Sequence, residues 1–242
     1  MSTYRMTIEY DGTNFAGWQF QKNGRSVQEV IEKAMFHIMQ VPLRIAGGGR
    51  TDAGVHATGQ VASFHFVPDL DIKKLERGMN AVLPADVAVS ALQKTEDDFH
   101  ARFSAKGRRY EYRVASSRAV IGRLFCWSVY QALDLEAMER AAHMITGEHD
   151  FRAFCKTTAD AEHYRCIVDF ARWSKSESGF LFSIQANRFM HGMVRALVGT
   201  MVDIGRGSTL GEKFEAILNS HDRSTAGMSA PAKGLCLKEI IY

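Results

Sequence analysis

The amino-acid sequence predicts an α+β fold built from two similar halves, and three observations carry that expectation. Period-two alternation and helix-like spacing follow one another along the chain. Both halves show them in a similar order. A polar, charged stretch from Gln93 to Lys106 separates the halves, so the expected division is 1–98 and 99–242, with a cleft between them. With 242 residues, two domains of roughly 100 to 150 residues each, or one large one, can bury a real core.

In the first half, Thr7 to Tyr10 alternates before the turn Asp11-Gly12, and Ser26-Val27-Gln28-Glu29 has the form of a capping box. Val27, Val30, Ile31, Ala34, Met35 and Ile38 then recur at helical spacing. Val61 to Phe66 alternates as a strand. Asp71 opens a helix with Ile72, Leu75, Met79 and Val82 on one face, Pro84 follows it, and Val87 to Leu92 makes the next strand.

The second half starts with a strand from Tyr110 to Val114. Asp134 caps a helix through Ala137, Met138, Ala141, Ala142 and Ile145, which Gly147 ends. Val168 to Trp173 and Phe180 to Ala186 flank a turn at Ser176 to Gly179. A stripe of Met190, Met193, Val194, Leu197, Val198 and Met201 predicts a helix from Met190 onward. Thr209-Leu210-Gly211-Glu212 has the form of another capping box, and Leu235-Cys236-Leu237 starts a closing strand. The connections around 157–162 and 220–230 are the most polar, and disorder is expected nowhere else.

Thirty basic and 27 acidic residues leave a net charge of +3, too small to announce a nucleic-acid ligand without a concentration of the basic residues. Cys126, Cys155, Cys166 and Cys236 lack C-x-x-C spacing, and the nine histidines form no H-E-x-x-H. Neither a metal nor a disulfide is expected. No apolar run resembles a leader or a membrane span, so the expectation is a soluble, cytoplasmic chain.

Gly47-Gly48-Gly49-Arg50-Thr51-Asp52-Ala53-Gly54-Val55-His56 sets one carboxylate between an arginine and a histidine on a glycine-rich turn. Such a turn leaves room for a ligand, and Asp52 is its candidate reacting group. An ordinary Asp-Ala-Gly turn explains the glycines as well. Arg108, Tyr110 and Tyr112 alternate with Arg109, Glu111 and Arg113, a pattern that suits bases and phosphates, or a half-buried strand with a charged outer face. Arg102, Lys106, Arg118 and Arg123 raise the local basic density. Arg195, about 140° round the helix from Met190, flanks the apolar stripe and calls for a carboxylate partner: Asp52, or a purely structural acid such as Asp203 or Glu215.

Together these segments resemble the tRNA pseudouridine synthase A family over nearly the whole chain. Tyr10 to Gln19 is similar to the family's opening Y-D-G-x-x-F-x-G-W-Q, and Gly49 to Ala57 to its G-R-T-D-x-G-V-H-A signature. Phe99 to Ala105 with Arg109 to Arg113 resembles the next block, Met193-Val194-Arg195 the M-V-R segment, and Ala230 to Leu235 the closing A-P-A-x-G-L. One position departs, Phe189-Met190 standing where the family more often has Phe-Leu, an apolar exchange of similar volume.

The resemblance implies a ferredoxin- or RRM-like architecture, each half an antiparallel sheet with helices on one face, the sheets joined around a central basic cleft. It makes Asp52 the catalytic nucleophile, attacking C6 of the uracil or C1′ of the ribose, or removing a proton to give a glycal. Tyr110 would pack on the target base, Arg195 would partner the aspartate, and Leu235 would line the base pocket. Arg50 is the expected wedge filling the space a flipped base leaves, and His56 completes the substrate-binding candidates. The implied substrate is tRNA, at positions 38, 39 and 40 of the anticodon stem-loop. The implied assembly is a homodimer that uses no cofactor, no metal and no membrane. The rival from another class is a non-catalytic RNA-binding α+β module. A glycoside hydrolase fits less well, because it needs two flanking acids and the glycine-rich motif holds one.

Overall fold

A computed structural model describes residues 2–67, 69–156 and 163–242. The polar connection expected at 157–162 lies outside the described residues. Within them the order is β1 (Ser2–Tyr10), α1 (Val27–Met39), β2 (Ala46–Gly47), β3 (His56–Phe66), α2 (Ile72–Val82), β4 (Val87–Thr95), β5 (Gly107–Ala115), β6 (Trp127–Ser128), α3 (Leu135–Met144), β7 (Gly147–Asp150), β8 (Arg165–Ser176), β9 (Gly179–Ala186), α4 (Met193–Gly205), α5 (Lys213–Ser220) and β10 (Leu235–Ile241). The α+β class is as expected. Two compact units form, Met1–Lys106 together with Leu237–Tyr242, and Gly107–Cys236.

In the first unit the strand order is β4-β1-β3-β10, with β2 added to β3. β1 lies antiparallel to both β3 and β4, and Tyr4 stacks on its register partner Phe64 with ring centroids 5.4 Å apart. Ser26 caps α1 by accepting a hydrogen bond from the Glu29 N–H, as the capping box predicts, while the Glu29 carboxylate pairs with Lys33. Val27, Ile31, Ala34 and Met35 turn inward. Asp71 caps α2, and the Asn80 side chain bonds both the N–H and the C=O of Val89, fastening that helix to β4.

The second unit orders its strands β5-β9-β8-β7, all neighbours antiparallel. β6 pairs parallel with β5, Val114 with Trp127. The hairpin β8–β9 turns between Ser176 and Gly179, where expected. α3, capped by Asp134, packs on β8 and on α4. α4 is buried almost all round, which marks it as the unit's central helix.

Three expectations need correction. α4 starts at Met193 rather than Met190, because Gly192 takes the left-handed φ of +75° and residues 190–192 form a turn closed by the Met193 N–H on the Met190 carbonyl. Arg195 therefore sits in the helix's first turn. The capping box at Thr209 does not form. The Thr209 and Ser208 N–H groups bond the Asp203 carbonyl at the end of α4, so this segment terminates one helix instead of starting the next. Finally, α3 ends at Met144 with Ile145 as its cap, and Gly147, at φ +99°, starts β7.

Candidate active site

Asp52 lies on a turn built from backbone. The Val55 N–H reaches the Asp52 carbonyl at 3.2 Å, and Gly54 between them has φ +77°, the geometry of a type II turn whose third position favours glycine. The segment after β1 clamps this turn. The Gly54 N–H donates to the Phe15 carbonyl (3.2 Å), the Trp18 N–H to the Thr51 carbonyl (3.1 Å), and the Tyr10 and Thr51 hydroxyls meet at 2.8 Å. Approach is close enough to exclude side chains: a Cβ on Gly12 would stand 1.9 Å from the Val55 oxygen, and one on Gly17 2.6 Å from the Thr51 oxygen. The two sequence blocks, 10–19 and 49–57, are thus one packed structure.

His56 is buried, at 4% exposure, and its Nδ1 lies 3.0 Å from the Gly12 N–H and 3.1 Å from Asp11 Oδ1. With its proton on Nε2 the ring accepts from Gly12 at Nδ1; with a proton on Nδ1 it donates to Asp11. Burial pushes the Asp11 carboxyl up, but the Thr13 hydroxyl and N–H, followed by His56, outweigh it and hold the pKa below the usual carboxylate value. The folded chain thus binds that proton less readily than the unfolded chain. The stability involved is fully present above the unfolded value of about 3.9 and is lost as pH falls through the lower folded value. Below about pH 4 the wild-type Tm should therefore drop more steeply than that of Asp11→Asn; parallel curves would refute the linkage.

Gln60 is a site-building residue that motif reading passed over. It is wholly buried on β3, accepting from the Gly49 N–H (3.2 Å) and donating to the Gly49 carbonyl (2.7 Å). The strand period carried the signal, since Gln60 shares the inward face of Ala62 and Phe64. Gln60→Leu strands two backbone polar groups, and denaturant unfolding should register a loss of about 2 to 4 kcal/mol. Unchanged stability would show that the amide is dispensable.

The remaining candidates divide between the two units. Arg50 is exposed, two residues before Asp52 in the first unit. In the second, Tyr110 is 7% exposed on β5, with its ring edge-on to Phe189 at 5.1 Å. Arg195 anchors the segment that leads to Leu235: its Nε donates to the Ala230 carbonyl (2.8 Å), and its own carbonyl accepts from the Ala230 N–H (2.9 Å). Asp203, weighed as a structural partner for Arg195, pairs instead with Arg206 at 3.4 Å. Leu235 is buried at the start of β10, next to Gly234, where a Cβ would meet the Tyr112 ring at 2.5 Å. The Tyr112 hydroxyl donates to the Pro231 carbonyl, and burial raises its pKa far above the ordinary tyrosine value. Among the described residues no helix is long and apolar enough to cross a membrane, and no group of three or more His, Cys, Asp or Glu side chains is placed to hold a metal ion.

Comparison with known proteins matches residues 6–104 and 141–242 to the tRNA pseudouridine synthase family. The tRNA pseudouridine synthase A of Syntrophotalea carbinolica is 41% identical over all of this chain and 97% of its own length. Those of Bacteroides thetaiotaomicron and Moorella thermoacetica are each 39% identical over the whole chain, covering 91% and 100% of theirs. A crystal structure of a Cbf5-Nop10-Gar1 complex aligns with 96% of this chain and 57% of its own at TM-score 0.37 and 13% identity, a likeness too loose to argue from. With the 10–19 and 49–57 blocks packed as one loop system and full-length relatives near 40% identity, the chain belongs to the tRNA pseudouridine synthase family and is an isomerase of that class.

Proposed function

We propose that the chain converts uridine to pseudouridine at positions 38, 39 and 40 of the tRNA anticodon stem-loop, with Asp52 as the nucleophile. The observation that carries this is the loop itself: backbone contacts from two separate motifs hold Asp52 in a turn. The reaction breaks the N1–C1′ bond, rotates the free base and joins C5 to C1′; C5 loses a proton and N1 gains one. Substrate and product have equal mass. A carboxylate nucleophile, a pocket that retains the base and an aromatic to orient it meet these demands.

In this reading Tyr110 takes the uracil face, Arg195 and Leu235 have the roles the resemblance gives them, Arg50 fills the vacated stack, and His56 supports the loop from beneath. A homodimer in the cytoplasm completes the proposal. The test is to incubate the purified chain with an unmodified tRNA transcript and map pseudouridine by carbodiimide labelling and primer extension. Stops tied to positions 38 to 40 are expected. Tight tRNA binding with no label would favour the non-catalytic RNA-binding module instead.

A further inference from the structure

Phe103 is 76% exposed, yet the turn that presents it is tethered by several hydrogen bonds. The Ser104 N–H donates to the His100 carbonyl (2.9 Å), the His100 N–H to the Ser104 hydroxyl (3.0 Å), and His100 Nδ1 accepts from the N–H of Arg102 (3.1 Å). Ala101, fully buried, donates its N–H to the Ser63 hydroxyl on β3 and accepts from the Tyr242 hydroxyl. Phe99 packs on the Tyr242 ring, with centroids 4.8 Å apart. A large apolar ring held out to solvent on a fixed turn has lost its freedom without gaining burial. That is the profile of a binding side chain.

The surroundings of the ring specify the ligand chemistry. The His100 ring lies 4.5 Å from it at an interplanar angle of 37°, and the Arg102 guanidinium lies 5.5 Å from its centroid. An aromatic face beside a cation suits a base with its phosphate, the combination that single-stranded nucleic acid offers. The turn also borders the Asp52 loop. A Cβ on Gly48 would stand 3.0 Å from the Ala101 oxygen, and Gly48 precedes Asp52 by four residues.

We propose that Phe103 stacks on an unpaired tRNA base flanking the target uridine, with Arg102 on the adjoining phosphate. When a target leaves the stack its neighbour loses a partner, and a preset ring on the turn that borders the Asp52 loop replaces it. This rests on the tRNA reading above and adds a binding residue that the alternation of strands and helices does not reveal.

The experiment measures dissociation constants of the full chain for an unmodified tRNA transcript across a salt series, comparing wild type with Phe103→Ala, Phe103→Leu and Phe103→Tyr. Ala and Leu should each weaken binding roughly 5- to 150-fold. Tyr should stay within about twofold, and Tm should hold in all three because the ring is exposed. The salt slope should not change, since no charge is removed. Wild-type binding by Ala or by Leu overturns the proposal, the latter because Leu keeps the apolar volume without the π face. A change in sedimenting mass with Ala also overturns it, placing the ring against protein. Pseudouridine mapping on the wild type separates the two readings. An active wild type with unaffected Phe103→Ala binding refutes stacking alone, whereas an inactive wild type whose binding depends on the ring refutes catalysis alone.

Discussion

Asp52→Asn is expected to lower pseudouridine formation by at least about 10⁴-fold, the scale on which loss of a covalent nucleophile acts. Shape and hydrogen-bonding capacity change little, while the negative charge and the nucleophilic lone pair are lost. Backbone bonds define the turn itself: Val55 to the Asp52 carbonyl, Gly54 to Phe15, Trp18 to Thr51. The variant should therefore fold with wild-type Tm and bind tRNA with little change, so that the effect appears in the rate alone. Single-turnover assays on a tRNA transcript, with binding measured in parallel, check this. A folded Asp52→Asn chain that retains full activity would remove Asp52 from the mechanism, and a joint loss of binding and Tm would make it a structural residue.

Gly12→Ala is expected to be the most disruptive single-methyl change at the site. Its Cβ would lie 1.9 Å from the Val55 carbonyl oxygen and 2.5 Å from the carbonyl carbon, and backbone on both sides leaves nothing flexible to give way. Two outcomes are physically available, and both harm function. Either the clash stays in the folded state at a cost of about 3 kcal/mol, lowering Tm by roughly 6 to 12 °C, or the Val55 carbonyl moves and carries the Asp52 turn with it, because Val55 closes that turn. A displacement of about 1 Å at a reacting group can cost on the order of 100-fold in rate. Gly49→Ala is the matched control. It lies three residues before Asp52, a Cβ there meets nothing within 4 Å, and its φ is not positive. Thermal melts and turnover should separate the two variants widely, and equal tolerance of both would refute the clamp between the 10–19 and 49–57 segments.

Much of this was legible in the chain because it depends on local chemistry. Ser26, Asp71 and Asp134 each cap the helix they precede, since a short polar side chain before an apolar periodic run has a nearby N–H to accept from. The alternation put Tyr110 and Tyr112 on one side of β5, and of its two readings the half-buried strand fits their burial. Local pattern misled where a distant carbonyl competed. Thr209 had the form of a cap but bonds back to Asp203, and the apolar stripe ran through Met190 although Gly192 starts the helix after it.

By itself the sequence determined the α+β class, most of the helix and strand positions, and the motifs that assign the family, because periodicity, caps and turn residues act over a few neighbours. Only the tertiary structure decided that Tyr10 would meet Thr51, that Gly12 would touch Val55, that Gln60 would hold Gly49, and that Leu237–Tyr242 would return to the first unit. Those pairings join segments distant in sequence, and they arise because buried N–H, C=O and hydroxyl groups must find partners wherever the packed chain supplies them.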